Sequence, residues 1–178
     1  MNIIEKIISN FINNKSLYIG EKVTMSEHMI QSAMIAEKAK SPDSLVCACL
    51  LHDYGHFILE NPDELVEKKL DGKHEEIGYE YLKKFFKEEV VEPIKYHVLA
   101  KRYLAQNKKY YNFLSEASKT SLKLQGGKLN KNQSKKFEKN NYFKNSIKLR
   151  KFDESAKKNN IKMKSINDYK KLLTSQLL

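Results

Sequence analysis

Apolar positions recur at helical spacing along most of the 178-residue chain. Ile3, Ile4, Ile7, Ile8 and Phe11 share one face of a first predicted helix. A second helix is predicted over 26–39, with positions 29, 33 and 36 on one side. A third is predicted over 41–56, with residue 41 as N-cap and Pro42 at the first helical position. Residues 45–51 of this segment are apolar all round, so we expect the third helix to be central and buried.

The rest of the chain continues the helical pattern after a polar loop at about 58–72. The glycine pair at 126–127 is a helix stop, and Ser165 with Asp168 begins the last helix. No alternating strand pattern, repeat or linker is present, so the sequence predicts a single all-α domain over 1–178. The remaining helices are predicted over 73–86, 88–104, 110–127, 131–139, 142–155 and 165–178.

Composition places the chain among soluble globular proteins. Hydrophobic residues make up 40% and charged residues 31%, and no run approaches the ~20 apolar residues that a membrane span needs. The N-terminal segment carries Glu5 and Lys6 and lacks a cleavage site, so we interpret it as a helix and not a signal peptide. Cys47 and Cys49 are two positions apart and not placed to pair. We therefore expect reduced thiols in a cytoplasmic protein.

The net charge of +11 is unevenly placed, because residues 119–164 hold 15 lysines and arginines but only 3 acidic residues. Such a stretch is compatible with nucleic-acid binding. However, it carries no zinc-finger or RNA-recognition signature, and the chain is rich in Lys, Asn and Ile throughout. We therefore expect a solvated basic surface and no nucleic-acid partner, with one or two cations directed at an anionic ligand.

All five histidines fall in the first hundred residues: His28, His52, His56, His74 and His97. His52 and Asp53 adjoin the most apolar stretch, where an ionised carboxylate is costly unless it is paired or bound to a metal. One metal could take the imidazole nitrogen and one carboxylate oxygen, while the other oxygen reaches a second metal. The alternative is a buried hydrogen-bonded pair. If a metal is present, imidazole and carboxylate ligands suit Fe, Mn, Zn or Co. On a continuous helix, His56 would lie one turn beyond His52.

The motif "HDYGH", with ordered histidines before and after it, resembles the HD-domain superfamily, whose fold is a helical bundle. Four further segments are similar to the PhnZ-type HD-domain oxygenases, which are related to myo-inositol oxygenase. The similarity follows one order over about residues 16–175. The segments are "YIGEKVTMSEHMIQSAMIAE", "HVLAKRYL", "LSEASKTSLKLQGG" and "FKNSIKLRKFDE".

This resemblance implies a mixed-valent Fe(II)/Fe(III) pair bridged by Asp53. It also implies catalytic roles for Tyr18, Glu21 and His56, with Glu21 engaging a substrate amine. Tyr103, Tyr110, Tyr111 and Phe113 are interpreted as packing residues. The implied iron ligands are His28, His52, Asp53, His74, His97 and Asp153. The implied substrate-binding residues are His56, Lys101, Ser118, Ser121, Gln125 and Arg150.

The resemblance further implies cleavage of the carbon–phosphorus bond of a 1-hydroxyphosphonate with O2. The favoured substrate is (R)-2-amino-1-hydroxyethylphosphonate, which would yield glycine and phosphate. A 2-oxoglutarate-dependent phosphonate hydroxylase would supply this substrate, without stable contact between the two proteins. Two alternatives stay open from the residues. One is an HD-type phosphohydrolase acting on a nucleotide or phosphate monoester. The other is a non-enzymatic helical module that binds anions or nucleic acid.

Overall fold

The structure is a computed structural model that describes residues 2–18, 21–59 and 71–178, and these ranges contain ten α-helices and two short 3-10 helices. Within those ranges there is no β-strand beyond isolated bridges, so the predicted all-α class is confirmed. The helices are α1 (Ile3–Asn13), α2 (Met25–Lys38), α3 (Asp43–Leu51), α4 (His74–Leu82), α5 (Glu88–Leu104), α6 (Lys108–Phe113), α7 (Glu116–Leu124), α8 (Lys131–Glu138), α9 (Phe143–Ser155) and α10 (Lys170–Ser175), with 3-10 helices at Tyr54–Phe57 and Ile166–Tyr169.

Helix α3 ends at Leu51, so the prediction of one helix through residue 56 was wrong. His56 instead lies in the 3-10 helix, and it does not continue the helical face of His52. The chain turns here because Gly55 packs directly against α4: an added Cβ would lie 1.9 Å from the carbonyl oxygen of His74. Pro42 is the N-cap of α3 in place of Ser41, and its side chain makes no capping hydrogen bond.

The predicted helix over 110–127 was also wrong, because it divides into α6 and α7. Ser115 separates the two helices, and its hydroxyl accepts a hydrogen bond from the amide of Ser118 at 3.2 Å, a typical N-cap. The predicted stop at the end of α7 is confirmed, since Gly126 and Gly127 both adopt positive φ. The capping box of Ser165 and Asp168 is present as well.

The core lies where α2, α3, α5 and α9 pack against one another, with α1 and α10 covering one side. Ile7, Met29, Leu50, Ile94 and Leu149 are fully buried, one from each of five helices. The apolar faces predicted for the first three helices are therefore the ones that form the core. This packing brings the end of α3 and the middles of α2, α5 and α9 to one place.

The loop predicted over 58–72 lies largely outside the described residues. Cys47 and Cys49 are buried free thiols in α3, and burial raises the pKa of both thiols far above their usual range. Among the helices that the structure describes, none combines the length and apolar character that crossing a bilayer requires.

Candidate metal centre and substrate pocket

Six buried imidazole and carboxylate side chains converge where α2, α3, α4, α5 and α9 meet. They form two groups of three. His28 of α2, His52 at the end of α3, and Asp153 of α9 make the first group. Asp53, His74 of α4 and His97 of α5 make the second. These are the six residues for which the sequence suggested a metal site, brought together from positions that span 126 residues of chain.

Asp53 lies between the two groups and presents a different oxygen to each. Its Oδ2 is 3.4 Å from Nε2 of His52 and 3.6 Å from Nε2 of His28. Its Oδ1 is 3.2 Å from Nε2 of His74 and 3.5 Å from Nε2 of His97. The geometry therefore fits a carboxylate that bridges two cations, one on each side.

The hydrogen bonds of three histidines fix which ring nitrogen carries the proton. Nδ1 of His28 contacts the carbonyl oxygen of Ala156 at 2.9 Å, and Nδ1 of His52 contacts that of Cys49 at 2.8 Å. His97 contacts the carbonyl of Ile94 in the same way, at 2.7 Å. Since a carbonyl oxygen only accepts, each Nδ1 donates, and in the neutral ring Nε2 carries a lone pair. This is the arrangement in which a histidine binds a metal through Nε2.

The Nε2 atoms of neighbouring histidines lie close together. Nε2 of His28 is 3.2 Å from Nε2 of His52, and their lone pairs face each other when both rings are neutral. Nε2 of His97 is 3.1 Å from Nε2 of His74. In addition, Oδ1 of Asp153 is buried and accepts no hydrogen bond from any described residue. Converging lone pairs and an unsatisfied carboxylate oxygen are unfavourable without a cation. The donor set therefore fits bound metal ions.

The charges of Asp53 and Asp153 also favour a cation between the two groups of candidate ligands. Burial by itself lowers the pKa of His52, but Asp53 and Asp153 outweigh it and raise that pKa to about 9. Burial would also raise the pKa of Asp53, yet the neighbouring histidines hold it well below its usual range. The pKa of His74 is lowered to about 3, chiefly by burial, which leaves its imidazole neutral. Asp53 is therefore ionised and His74 neutral, as a metal requires, and a bound metal ion would replace the proton that the two carboxylates favour on His52.

The buried guanidinium group of Arg150 contacts Asp153. Arg150, one turn earlier in α9, donates through its two terminal nitrogens to the carboxylates of Asp153 and Glu154. Its Nε donates to the hydroxyl of Tyr110 at 2.9 Å, and one terminal nitrogen is 3.5 Å from Oγ of Ser118. The guanidinium group is thus held by four side chains, with two carboxylates offsetting its charge.

Lys101 is a second buried cation, from α5. Its Nζ donates to Oγ of Ser121 at 2.9 Å. Burial lowers the pKa of Lys101 to about 7, and the charge of Arg150 contributes to the shift. One turn beyond Ser121, Oε1 of Gln125 is buried and has no hydrogen-bond partner among the described residues. His56 is half-buried, and its ring stacks on that of His74 with centroids 4.2 Å apart.

Comparison with known proteins identifies the family to which this chain belongs. Residues 25–139 match the HD domain family. The chain is 46% identical, over 142 residues, to 1-hydroxy-2-(trimethylamino)ethylphosphonate dioxygenase (glycine-betaine-forming) of Leisingera caerulea, covering 79% of this chain and 72% of the relative. It is 38% identical, over 157 residues, to hydroxymethylphosphonate dioxygenase of Gimesia maris, covering 85% and 77%. This chain is a PhnZ-type HD-domain oxygenase.

A third relative carries no assigned activity. It is an uncharacterized protein of Acanthamoeba polyphaga mimivirus, 36% identical over 163 residues, which cover 90% of this chain and 74% of the relative. The HD-domain match and the two dioxygenases confirm, at the level of the family, the similarity inferred from the motifs "HVLAKRYL" and "LQGG". All three relatives match over most of the chain.

In this PhnZ-type oxygenase, a turn before α2 carries Tyr18 and Glu21. The amide of Tyr18 donates to the carbonyl of Val23, and the amide of Glu21 donates to the carbonyl of Tyr18, both at 2.8 Å. The Tyr18 ring stacks on the His28 ring with centroids 4.1 Å apart and planes inclined by 12°. Burial, followed by the charges of Asp53 and Asp153, raises the pKa of the Tyr18 hydroxyl. Tyr18 therefore lies beside the first group of candidate ligands in its neutral form.

Sequence reasoning missed four polar residues that contact the candidate site residues. Glu154 and Lys157 follow Arg150 at spacings of four and seven residues, which is one face of a helix, so their clustering had a detectable signal. Tyr110 was interpreted as packing only, but its hydroxyl also accepts a hydrogen bond from Arg150. Glu75 is a buried carboxylate 3.6 Å from Nδ1 of His74, and no periodicity distinguished it from its neighbours.

Proposed function

We propose that this protein uses O2 to cleave the carbon–phosphorus bond of a 1-hydroxyphosphonate. The observation that carries the proposal is the shared Asp53, which faces two groups of metal-binding side chains with separate oxygens. Arg150 and Lys101 are buried cations linked through Ser118 and Ser121, and we place the substrate pocket beside them because they suit an anionic substrate. Both relatives with an assigned activity are named phosphonate dioxygenases.

We propose two iron ions, in the Fe(II)/Fe(III) state, as the cofactor. His28, His52 and Asp153 would hold one iron, His74 and His97 the other, and Asp53 would bind both. Four imidazoles and two carboxylates suit iron, and the free thiols of Cys47 and Cys49 lie in α3, outside both groups. When bound, the two irons would supply the redox chemistry with dioxygen on which C–P cleavage depends.

The protein itself would bind and orient the phosphonate. Arg150 can offer N–H groups to phosphonate oxygens, and its carboxylate partners hold it in one orientation before substrate arrives. Lys101 adds a second cation. We assign supporting hydrogen bonds to Ser118, Ser121, Gln125 and His56. The buried Oε1 of Gln125, which lacks a partner among the described residues, can accept from a substrate hydroxyl.

As the substrate we propose (R)-2-amino-1-hydroxyethylphosphonate, whose ammonium group would lie at Glu21. The carboxylate of Glu21 is largely buried, and its Oε1 accepts no hydrogen bond within the described part of the chain. An ammonium group would satisfy that oxygen. The substrate and one O2 together contain the atoms of glycine and phosphate, so the reaction balances without another reactant. Tyr18 would cover the first iron position until substrate displaces it.

The proposal is tested by phosphate release from the iron-loaded protein. We expect release from 2-amino-1-hydroxyethylphosphonate in air, with consumption of one O2 per phosphate, and none under argon. An HD-type phosphohydrolase would instead release phosphate from a nucleotide or a phosphate monoester equally well with and without oxygen. Oxygen-independent release would therefore overturn the proposal in favour of hydrolysis. Salt-sensitive nucleic-acid binding without any release would favour a binding module.

A pH dependence follows from Lys101. Its pKa is lowered to about 7 by burial and by Arg150, so the residue is cationic below that pH and neutral above it. Only the cationic form attracts a phosphonate, so we expect kcat/KM to fall as the pH rises through about 7. In a Lys101→Arg variant the guanidinium stays charged, and the fall should disappear. Ionisation of the substrate affects both proteins alike, so coinciding pH profiles would contradict this role of Lys101.

A further inference from the structure

Lys157 follows the end of α9 and makes four polar contacts in the pocket. Its Nζ donates to Oγ of Ser118 at 2.9 Å and to Oγ of Ser115 at 3.0 Å. The same nitrogen is 3.1 Å from Oε1 of Glu154 and 3.2 Å from Oε1 of Glu21. Only 11% of the side chain is exposed. This lysine is thus a positioned cation inside the pocket and not part of the solvated basic surface.

The contacts of Lys157 differ in kind. Three of its partners, Ser115, Ser118 and Glu154, belong to the start of α7 and to α9, and each hydrogen-bonds it. Its contact with Glu21 is an ion pair without hydrogen-bond geometry, since Oε1 of Glu21 accepts no hydrogen bond from a described residue. Lys157 is therefore anchored whether or not Glu21 stays beside it, and Glu21 is the more weakly held partner.

The position of Lys157 links two parts of the pocket. Ser118, which accepts from Lys157, also lies 3.5 Å from a terminal nitrogen of Arg150. On the other side, Nζ of Lys157 is 5.6 Å from the centre of the Tyr18 ring. Lys157 thus contacts Glu21 directly and shares Ser118 with Arg150.

We propose that Lys157 is a specificity-determining residue, which offsets the charge of Glu21 and so limits the preference of the pocket for substrates with a cationic substituent. The inference rests on the proposed function. A substrate ammonium group near Glu21 is attracted by the carboxylate and repelled by Lys157, which stays in place. A substrate without that group experiences neither effect. The attraction between Lys157 and the phosphonate is common to both kinds of substrate, so it cancels from their ratio.

The test compares kcat/KM for 2-amino-1-hydroxyethylphosphonate and for hydroxymethylphosphonate on the same iron-loaded protein. In Lys157→Met, the ratio of the first to the second should rise by about tenfold, as expected for one charge about 4 Å away that solvent largely screens. In Glu21→Gln the ratio should fall by a similar factor. Lys157→Arg keeps the charge, so its ratio should equal that of the wild-type protein. A ratio is insensitive to partial loss of folded protein or of metal.

Lys158→Met is the matched control, because it removes the same charge from the next, exposed position. It should leave the ratio unchanged. An unchanged or lower ratio in Lys157→Met, with phosphate still released, would overturn the role of Lys157 and leave the proposed function standing. Absence of release from both substrates by the wild-type protein would overturn the proposed function itself.

Discussion

Replacement of Asp53 by Asn is expected to remove both metals and to lower phosphate release at least about 1,000-fold, equivalent to about 4 kcal/mol. Each oxygen of Asp53 faces a different group of histidines. Asparagine has nearly the same shape, but it offers one neutral oxygen and an NH2 group that cannot bind a cation. Elemental analysis of the purified protein and phosphate release under air measure the two losses.

Asp43→Asn provides the control for this experiment. Asp43 is the exposed first residue of α3, the helix that leads to Asp53. Its substitution makes the same chemical change and should cost about 0.3–1 kcal/mol of stability through the helix dipole, with no loss of metal. Two equivalents of metal retained by Asp53→Asn would show that the carboxylate does not bridge.

Replacement of Arg150 by Met is expected to lower the free energy of unfolding by about 3–5 kcal/mol, as for a buried ion pair that loses one partner. Burial would raise the pKa of Asp153, and it is Arg150, followed by His28 and His52, that holds this pKa well below its usual range. Without the guanidinium, Asp153 and Glu154 are left as neighbouring buried carboxylates. Urea denaturation of the metal-free protein measures this loss apart from any effect of metal binding.

Lys151→Met removes the same charge from the adjacent, exposed position of α9. We expect its free energy of unfolding to stay within about 0.5 kcal/mol of the wild-type value. Equal urea midpoints and slopes for Arg150→Met and the wild-type protein would contradict the inferred ion-pair role. The iron-loaded Arg150→Met variant should also show a raised KM for the phosphonate, because a cation that can donate to its oxygens is lost.

Local patterns in the sequence predicted most of the helices and the residues of the candidate metal centre. The face at Ile4, Ile7 and Phe11 is buried as its spacing indicated, and the cap at Ser165 forms as predicted. Both depend on residues within one or two helical turns, where spacing fixes which side chains are neighbours. The ordered histidines and aspartates resembled the HD-domain superfamily, and the flanking segments resembled its PhnZ-type oxygenases.

The division of Asp53 between two groups of ligands is a property of the tertiary structure alone. It depends on the end of α3 at Leu51 and on the close packing of Gly55 against His74. A continuous helix would have aimed these side chains differently. The pairing of Glu21 with Lys157 is of the same kind, since 136 positions separate them and each is ordinary within its own segment. The sequence by itself determined most of the helices, because they depend on local spacing, and its resemblance to the PhnZ-type family suggested the candidate ligands. Which oxygen faces which histidine, and which cation offsets which carboxylate, was decided by packing between helices, because those contacts join segments whose relative orientation no local pattern encodes.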